Sequence, residues 1–465
     1  MSNKGSGTLF GHPKGLFLLF GTELWERFSY YAMRAILVLY LTDKTVSGGL
    51  GWSTEDALSL YGIYTGLVYI TPLIGGWIAD NFLGQRRSII IGGLLMAAGQ
   101  FTLALPHSMV DPNATTAFYL GLALLIVGNG LFKPNISTMV GDLYEEGDHR
   151  RDGAFTIFYM GINLGALLAG IVAGAATAAY GWKAGFLAAG IGMVFSLVFQ
   201  MLFAEKLLGD VGKVPAAKRA ASMSQTGRNQ VLTKQEIDRL KVIMIMGLFV
   251  VVFWAGFEQA GGLMNIYTQE YADRMIGGFE VPTAWFQSLN PLFIITMAPL
   301  LASLWVKMGD KEPSSPIKFA IALFLLAIGF VCMVGAVLQQ GDDMTAKTSM
   351  LWIVAAYYFH TMGELCLSPI GLSMITKLAP LRLASLMMGV WFGFNAIANY
   401  VAGMIGAHVG ESGPLAIFGG IALTAAASGL ILVVFSNQLI RWMHGAEGKV
   451  ATQPETGPNG KPVEA

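Results

Sequence analysis

Runs of about twenty mostly apolar residues recur from one end of this chain to the other, and one such run is the length of helix that crosses the hydrocarbon core of a bilayer. Inside lipid each backbone N–H and C=O has to find its partner within the protein, and helix formation satisfies all of them locally. Of the 465 residues, 54% are hydrophobic and 12% charged, against about 25% charged in a soluble domain. A water-soluble fold could not cover that much apolar surface. The expected fold class is an all-α polytopic membrane protein.

Residues 1–14 are polar and Gly-rich. The first apolar run is too long for a signal peptide and lacks a small-residue cleavage site, so it is expected to remain as a span. Cys332 and Cys366 fall inside predicted spans without ligand-type neighbours, so neither a disulfide nor a metal site is expected.

Twelve spans are expected, starting near residues 15, 56, 87, 116, 154, 184, 241, 283, 317, 349, 384 and 414. They divide into a cytoplasmic N-terminus (1–14), a six-helix bundle (15–204), a cytoplasmic linker (205–240), a second six-helix bundle (241–444) and a tail (445–465). The tail is polar and rich in Pro and Gly, the composition of a disordered segment. With both termini cytoplasmic, 22 of the 29 Lys and Arg fall in cytoplasmic segments and four (Lys44, Lys183, Arg274, Lys347) outside. Arg27, Arg34 and Lys133 fall inside spans. That bias is the positive-inside pattern and suits a multi-pass protein of the cell's inner (plasma) membrane.

Two six-helix halves joined by a basic linker resemble the major facilitator superfamily, whose halves rock about a central site. The segment GGWIADNFLGQRR places Asp80, Gly84, Arg86 and Arg87 in the spacing of that superfamily's loop after the second span. An Asp and Arg clamp on neighbouring helices is a simpler reading of this loop than substrate contact.

The segment ELWERFSYYAMR, residues 23–34, puts four formal charges into the first span. At helical spacing Glu23, Arg27, Tyr30 or Tyr31, and Arg34 share one stripe, with Glu26 beside it. An uncompensated ion near the bilayer centre costs about 3 kcal/mol even on the lenient insertion scale, so this stripe has to face a bundle interior or a watery cavity. A structural Glu23–Arg27 pair would explain part of it. Four ionisable groups on one face exceed what such a staple needs. Lys133 in the fourth span, followed by Pro134, Glu258 in the seventh and Glu364 in the tenth complete a set of three cations and four carboxylates. The cations lie in the N-terminal half and two of the acids in the C-terminal half. A cavity between the halves would therefore be positive on one wall and negative on the other.

The same residues resemble the proton-coupled oligopeptide transporters (the POT or PTR family). ELWERFSYY is similar to that family's E-x-x-E-R-F-x-Y-Y motif, and FTIFYMGINLGAL, residues 155–167, to its fifth-span signature. GNGLFKPN, FWAGFEQ and GELCLSP match in the fourth, seventh and tenth spans. The resemblance implies that Arg34 and Lys133 receive the peptide carboxylate and Glu364 its amino terminus, with Ser368 a weaker candidate beside it. It implies that Asn163 and Asn290 bond the peptide backbone, and that Tyr30, Tyr31, Tyr69, Tyr159, Trp254 and Trp391 line side-chain pockets. Glu23, Glu26, Arg27 and Lys133 would couple the proton. Arg34 with Glu258, and Lys133 with Glu364, would be gate salt bridges. The implied function is proton-coupled import of di- and tripeptides by alternating access, in a monomer whose partners are a small peptide, protons and the bilayer. No catalysis, cofactor or nucleic acid is implied.

The chemistry agrees without the family. Every small peptide carries one ammonium, one carboxylate and an amide or two, so a site that accepts many peptides has to read those groups. Aromatic walls then accept varied side chains through dispersion and cation contacts. For each tyrosine, ordinary packing is the competing reading, and Trp352 and Trp442 at span ends read as interface anchors. His360 reads as a core imidazole bonded to a backbone carbonyl, and pairs such as Gly161 and Gly165 as close-packing positions. A nitrate site needs cations without a matching acid, so Glu364, Asn163 and Asn290 argue against it, whereas a zwitterionic drug-like solute satisfies them. No G-x-S-x-G elbow, P-loop or metal cluster marks an enzyme. Two departures from the family stand out. The 35 residues 205–239 are too few for the extra two-helix hairpin of many bacterial members, and no His occurs between His12 and His107. Carboxylates then have to carry the proton.

Overall fold

The computed structural model describes residues 7–106, 111–145, 148, 150–215, 232–341, 346–380 and 383–446. The tail lies outside these residues except for its first two. Twelve described helices have span length: α1 Lys14–Thr42, α2 Thr54–Ile78, α3 Gln85–Leu103, α4 Pro112–Asp142, α5 Arg150–Tyr180, α6 Trp182–Leu208 and α7 Lys234–Phe257, then, after a short α8 Leu263–Tyr271, α9 Leu289–Met308, α10 Ser315–Gln340, α11 Leu351–Leu378, α12 Ala384–Ala407 and α13 Val409–Trp442. Nine of the spans in the described residues are apolar enough to cross a membrane by length and composition alone. The helices α1, α3 and α11 carry the charged and polar positions that keep them below that level.

Local sequence sets where these helices begin. The Ser53 side chain accepts from the Asp56 N–H at the start of α2, and Asp111 does the same for Asn113 ahead of Pro112. Thr233 and Glu236 form a capping box that satisfies two of the orphan N–H groups of α7. The seventh helix therefore starts seven residues before its apolar run. Its other end also differs from the expectation of one unbroken span, because a 3-10 turn at Glu258–Ala260 and the pair Gly261–Gly262 separate α7 from α8. The segment ahead of α1 adds an unexpected two-residue hairpin, Thr8–Leu9 with His12–Pro13.

Helices α1–α6 form one bundle, in which α1 packs on α5 and α6 and α3 packs on α4. Helices α7–α13 form the other, with α10 against α11 and α13. Glycine permits the closest approaches inside a bundle. A Cβ on Gly165 would lie 2.2 Å from the Leu24 carbonyl oxygen, and one on Gly75 would lie 2.0 Å from that of Gly130. Arg86 donates to the Val211 and Gly209 carbonyls at 2.7 and 2.5 Å and meets Glu205 at 3.2 Å. In this state it fixes the end of α6 within its own bundle.

The bundles meet along α2–α12 and along α5 with α9 and the 3-10 turn Thr283–Ser288. Their closest contacts lie at the end remote from both termini. A Cβ on Gly62 would come within 2.7 Å of Gly403 Cα. Trp285 donates to the Ile171 carbonyl at 3.0 Å, Ser288 to that of Leu167 at 2.8 Å, and Asn265 to that of Ala35 at 3.0 Å.

Candidate functional site

Charges in α1 are buried, as its stripe requires. Glu23, Glu26, Arg27 and Arg34 are all buried, with Glu26 fully inaccessible. Arg27 reaches Glu23 at 3.2 Å, yet its main partner is the adjacent Glu26, met by Nε at 2.5 Å and Nη2 at 2.7 Å. The expected staple is thus a three-membered cluster centred on one guanidinium, whose fork geometry holds a carboxylate in two bonds. Asn129, one turn before Lys133, adds a 3.4 Å contact to Glu26.

Lys133 stands apart from the Glu23, Glu26 and Arg27 with which the resemblance grouped it. Among the described residues no carboxylate lies within 4.0 Å of its ammonium, which sits 4.7 Å from the centre of the Tyr69 ring. Arg27 engages both acids, although Glu23 Oε2 stays buried without a hydrogen-bond partner among the described residues, and an aromatic face takes their place beside the lysine. The expected Lys133–Glu364 gate pair is likewise not formed in this state. Glu364 instead accepts from Asn290 Nδ2 at 2.7 Å.

One turn beyond Tyr30 and Tyr31, Arg34 crosses to the other bundle and forms a salt bridge with Glu258. Its Nε donates to the Tyr61 hydroxyl at 2.7 Å. Glu258 sits on the 3-10 turn where the seventh span breaks, so the break aims its carboxylate back toward α1. This salt bridge stands at the inner edge of the sealed, remote end.

Directly below the pair lies a cavity of about 110 Å³ lined by Tyr31, Arg34, Tyr159, Ile162, Asn163, Phe257, Ala260, Gln287, Asn290, Tyr357 and Glu364 among others. It brings together six of the sequence candidates: Arg34 and Tyr31 from α1, Tyr159 and Asn163 from α5, Asn290 from α9 and Glu364 from α11. Tyr159 lines the cavity yet keeps 40% of its surface exposed, so the space opens away from the sealed end. The base is on the N-terminal bundle and the acid on the C-terminal one, which gives the dipolar cavity foreseen from the charges.

Other candidates stand elsewhere. Tyr30 lies under Arg27, with the guanidinium 5.2 Å from its ring centre, and is buried against Tyr31. Tyr69 faces Lys133. Trp254 packs edge-on against Phe257, which itself lines the cavity. Trp391 is buried against Phe319 and the backbone of Gly371, in the packing between α10, α11 and α12. Among the described residues the buried Ser368 hydroxyl, one turn beyond Glu364, has no hydrogen-bond partner. His360 is a buried core ring as expected, 4.6 Å from Phe330, with the Leu326 backbone as its hydrogen-bonding neighbour.

Tyr61, Gln287 and Tyr357 were missed. Gln287 precedes Asn290 by three residues and Tyr357 precedes Glu364 by seven, so helical spacing already placed both on the faces of recognised residues. No such signal marks Tyr61, whose role arises from a contact between α1 and α2.

Comparison with known proteins places this arrangement. The chain is 39% identical over 481 residues to the uncharacterized transporter YclF of Bacillus subtilis (strain 168), covering 94% of this chain and 96% of that one. It is 36% identical over 461 residues to the peptide transporter YePEPT of Yersinia enterocolitica subsp. palearctica, covering 87% and 89%. A crystal structure of a peptide transporter POT in complex with sulfate superposes with a TM-score of 0.87 at 36% identity, covering 95% of this chain and 98% of that one. The profile of the POT family matches residues 86–207 and 200–413, and the chain belongs to the POT family.

Proposed function

We propose that this protein is a symporter that imports di- and tripeptides together with protons by alternating access between its two bundles. The observation that carries the reading is the cavity between them, with Arg34 on one wall and the Asn290-held Glu364 on the other. Asn163 and Asn290 stand where a peptide's amide groups would lie between those charges. Tyr31, Tyr159 and Phe257 supply aromatic surface for side chains of any shape.

The distribution of basic residues orients the chain with both termini in the cytoplasm of a cell whose inner membrane it spans. The sealed end is then the outside, and the cavity opens inward. With Arg34 engaged by Glu258, Lys133 is the cation available to a peptide carboxylate in this state. Opening the outer side separates Arg34 from Glu258 and makes Arg34 available as well. Glu23, Glu26 and Arg27 lie two to three turns before Arg34 on α1, and Asn129, one turn before Lys133, contacts Glu26; they are the groups that carry the coupling proton. A proton on either acid loosens Arg27, and a cation released in this way favours an anionic ligand. Binding of proton and peptide then support each other reciprocally.

The test is uptake of a labelled dipeptide by proteoliposomes. An inward proton gradient should drive accumulation without Na⁺ and without a partner subunit. Uptake that requires Na⁺ and ignores pH would sink the proposal, and accumulation of a zwitterionic drug-like solute in preference to any dipeptide would reassign the substrate.

A further inference from the structure

Ala260 ends the 3-10 turn that carries Glu258. A break inside a membrane helix frees carbonyls that the next turn would have bonded, and each needs another donor. The Ala260 carbonyl takes two, Gln287 Nε2 at 2.5 Å and the Tyr357 hydroxyl at 3.2 Å. Those two donors also touch each other at 3.0 Å. One comes from the 3-10 turn that leads into α9 and the other from α11.

The same two elements hold the acid of the cavity. Asn290, one turn after Gln287, donates to Glu364 at 2.7 Å and to the Thr361 hydroxyl at 3.1 Å. Thr361, one turn after Tyr357, donates in turn to the Tyr357 carbonyl at 2.7 Å. A continuous polar frame thus runs from Glu364 through Asn290 and Gln287 to Ala260, two residues from Glu258 and its partner Arg34.

We infer that Gln287 is a positioning residue: through the Ala260 carbonyl it ties the placement of Glu258 against Arg34 to the occupancy of the Glu364–Asn290 pair. The inference rests on the reading of this cavity as a peptide site. A ligand ammonium that draws on Glu364 competes with Asn290 for the carboxylate. Asn290 and Gln287 share one helical turn of backbone, so a shift of the first is felt by the second. Removing the Gln287 amide leaves Arg34, Asn163, Asn290 and Glu364 in place to bind peptide. It leaves the turn that bears Glu258 with one donor instead of two, and closing of the outer end after loading becomes less favourable.

The test uses the full chain with Gln287→Ala or Tyr357→Phe, reconstituted for dipeptide uptake. For Gln287→Ala, KM should stay within about threefold of the parent while Vmax falls about tenfold, the pattern of a lost conformational step with binding retained. Tyr357→Phe should move Vmax the same way by less, and the double variant should be no worse than Gln287→Ala, because both act on one carbonyl. Spin labels at Lys44→Cys and Lys347→Cys, in a background with Cys332 and Cys366 replaced, should report a longer distance across the outer end in dipeptide-bound Gln287→Ala than in the parent. A raised KM with unchanged Vmax would make Gln287 a substrate contact and overturn the inference, as would unchanged kinetics and distance. A parent that takes up no dipeptide would overturn the peptide reading instead. Should Gln287→Ala fail to assemble, Tyr357→Phe, which keeps its ring, decides by the same comparison.

Discussion

Arg34 and Glu258 meet across the two bundles, and the Tyr61 hydroxyl takes the guanidinium edge that the carboxylate leaves open. Breaking such a buried pair from one side costs about 3–5 kcal/mol, because the remaining charge is left uncompensated. Glu258→Gln should therefore weaken the sealed outer end. Uphill peptide uptake should disappear, and cysteines placed across the outer ends should crosslink less than in the parent. Crosslinking equal to the parent would show that the glycine contacts and the backbone hydrogen bonds of Trp285, Ser288 and Asn265 hold the seal without the ion pair.

Lys133 and Arg27 are both cations within spans, but their surroundings predict opposite profiles. Arg27 bonds two carboxylates, so Arg27→Ala should destabilise the fold by about 3–5 kcal/mol. Lys133 bonds none among the described residues. Lys133→Ala should abolish proton-driven uptake while its thermal midpoint stays within about 3 °C of the parent, the shift expected for a change near 1 kcal/mol. A large loss of stability in Lys133→Ala would mean that the lysine pairs with an acid in the resting state.

Glu364 is positioned by Asn290 on the wall opposite Arg34. Glu364→Gln should weaken binding of peptides with a free amino terminus by about tenfold or more, the value of a charge-assisted contact of roughly 1.5–3 kcal/mol. N-acetylated peptides should bind both forms alike. Calorimetry with the two ligand classes checks this, and equal losses for both would show that Glu364 does not read the ammonium.

Glu23 and Glu26 hold the same guanidinium, and neutralising either removes the charge that a coupling proton would remove. Glu23→Gln or Glu26→Gln should keep counterflow of labelled for unlabelled peptide at least in part, since exchange needs only binding and rocking. Accumulation driven by a proton gradient should vanish. If both variants accumulate peptide as the parent does, the cluster is a staple and Glu258 becomes the next proton carrier to test.

Gly62 meets Gly403 so closely that a side chain has no room in the sealed state. Gly62→Val should hold the outer end apart and reduce uptake strongly, with little effect on helix content by circular dichroism. Normal uptake would show that the bundles can close around the added methyl groups.

The span count, the division into halves and the burial of charge were legible in the residues themselves. Apolar length fixes a membrane helix, and charges at three- and four-residue spacing on such a helix cannot face lipid. The motifs in α1, α5 and α11, with Asn290 in α9, likewise marked the two walls of the cavity: periodicity put the α1 charges on one stripe, and the family resemblance singled out Asn163 and Asn290. The break at Glu258–Gly262 was written in Gly261 and Gly262, but an apolar run hides it from a reading based on hydropathy.

Partnership was beyond that reading. Glu23, Glu26, Arg34, Lys133, Glu258 and Glu364 appear in the sequence as a set of charges, and a set of opposite charges allows many pairings. Only the packing of α1 against α2, α5 and the turn after α7 gave Arg34 to Glu258 and Tyr61, gave both α1 acids to Arg27, and left Lys133 to Tyr69. Packing among α10, α11 and α12 holds Trp391 away from the cavity, and the free Ala260 carbonyl draws Gln287 and Tyr357 to its edge. The physical reason is range: periodicity along one helix is set by backbone geometry over a few residues, whereas ion pairs and hydrogen bonds form over about 3 Å between segments that the chain brings together only when the two bundles close.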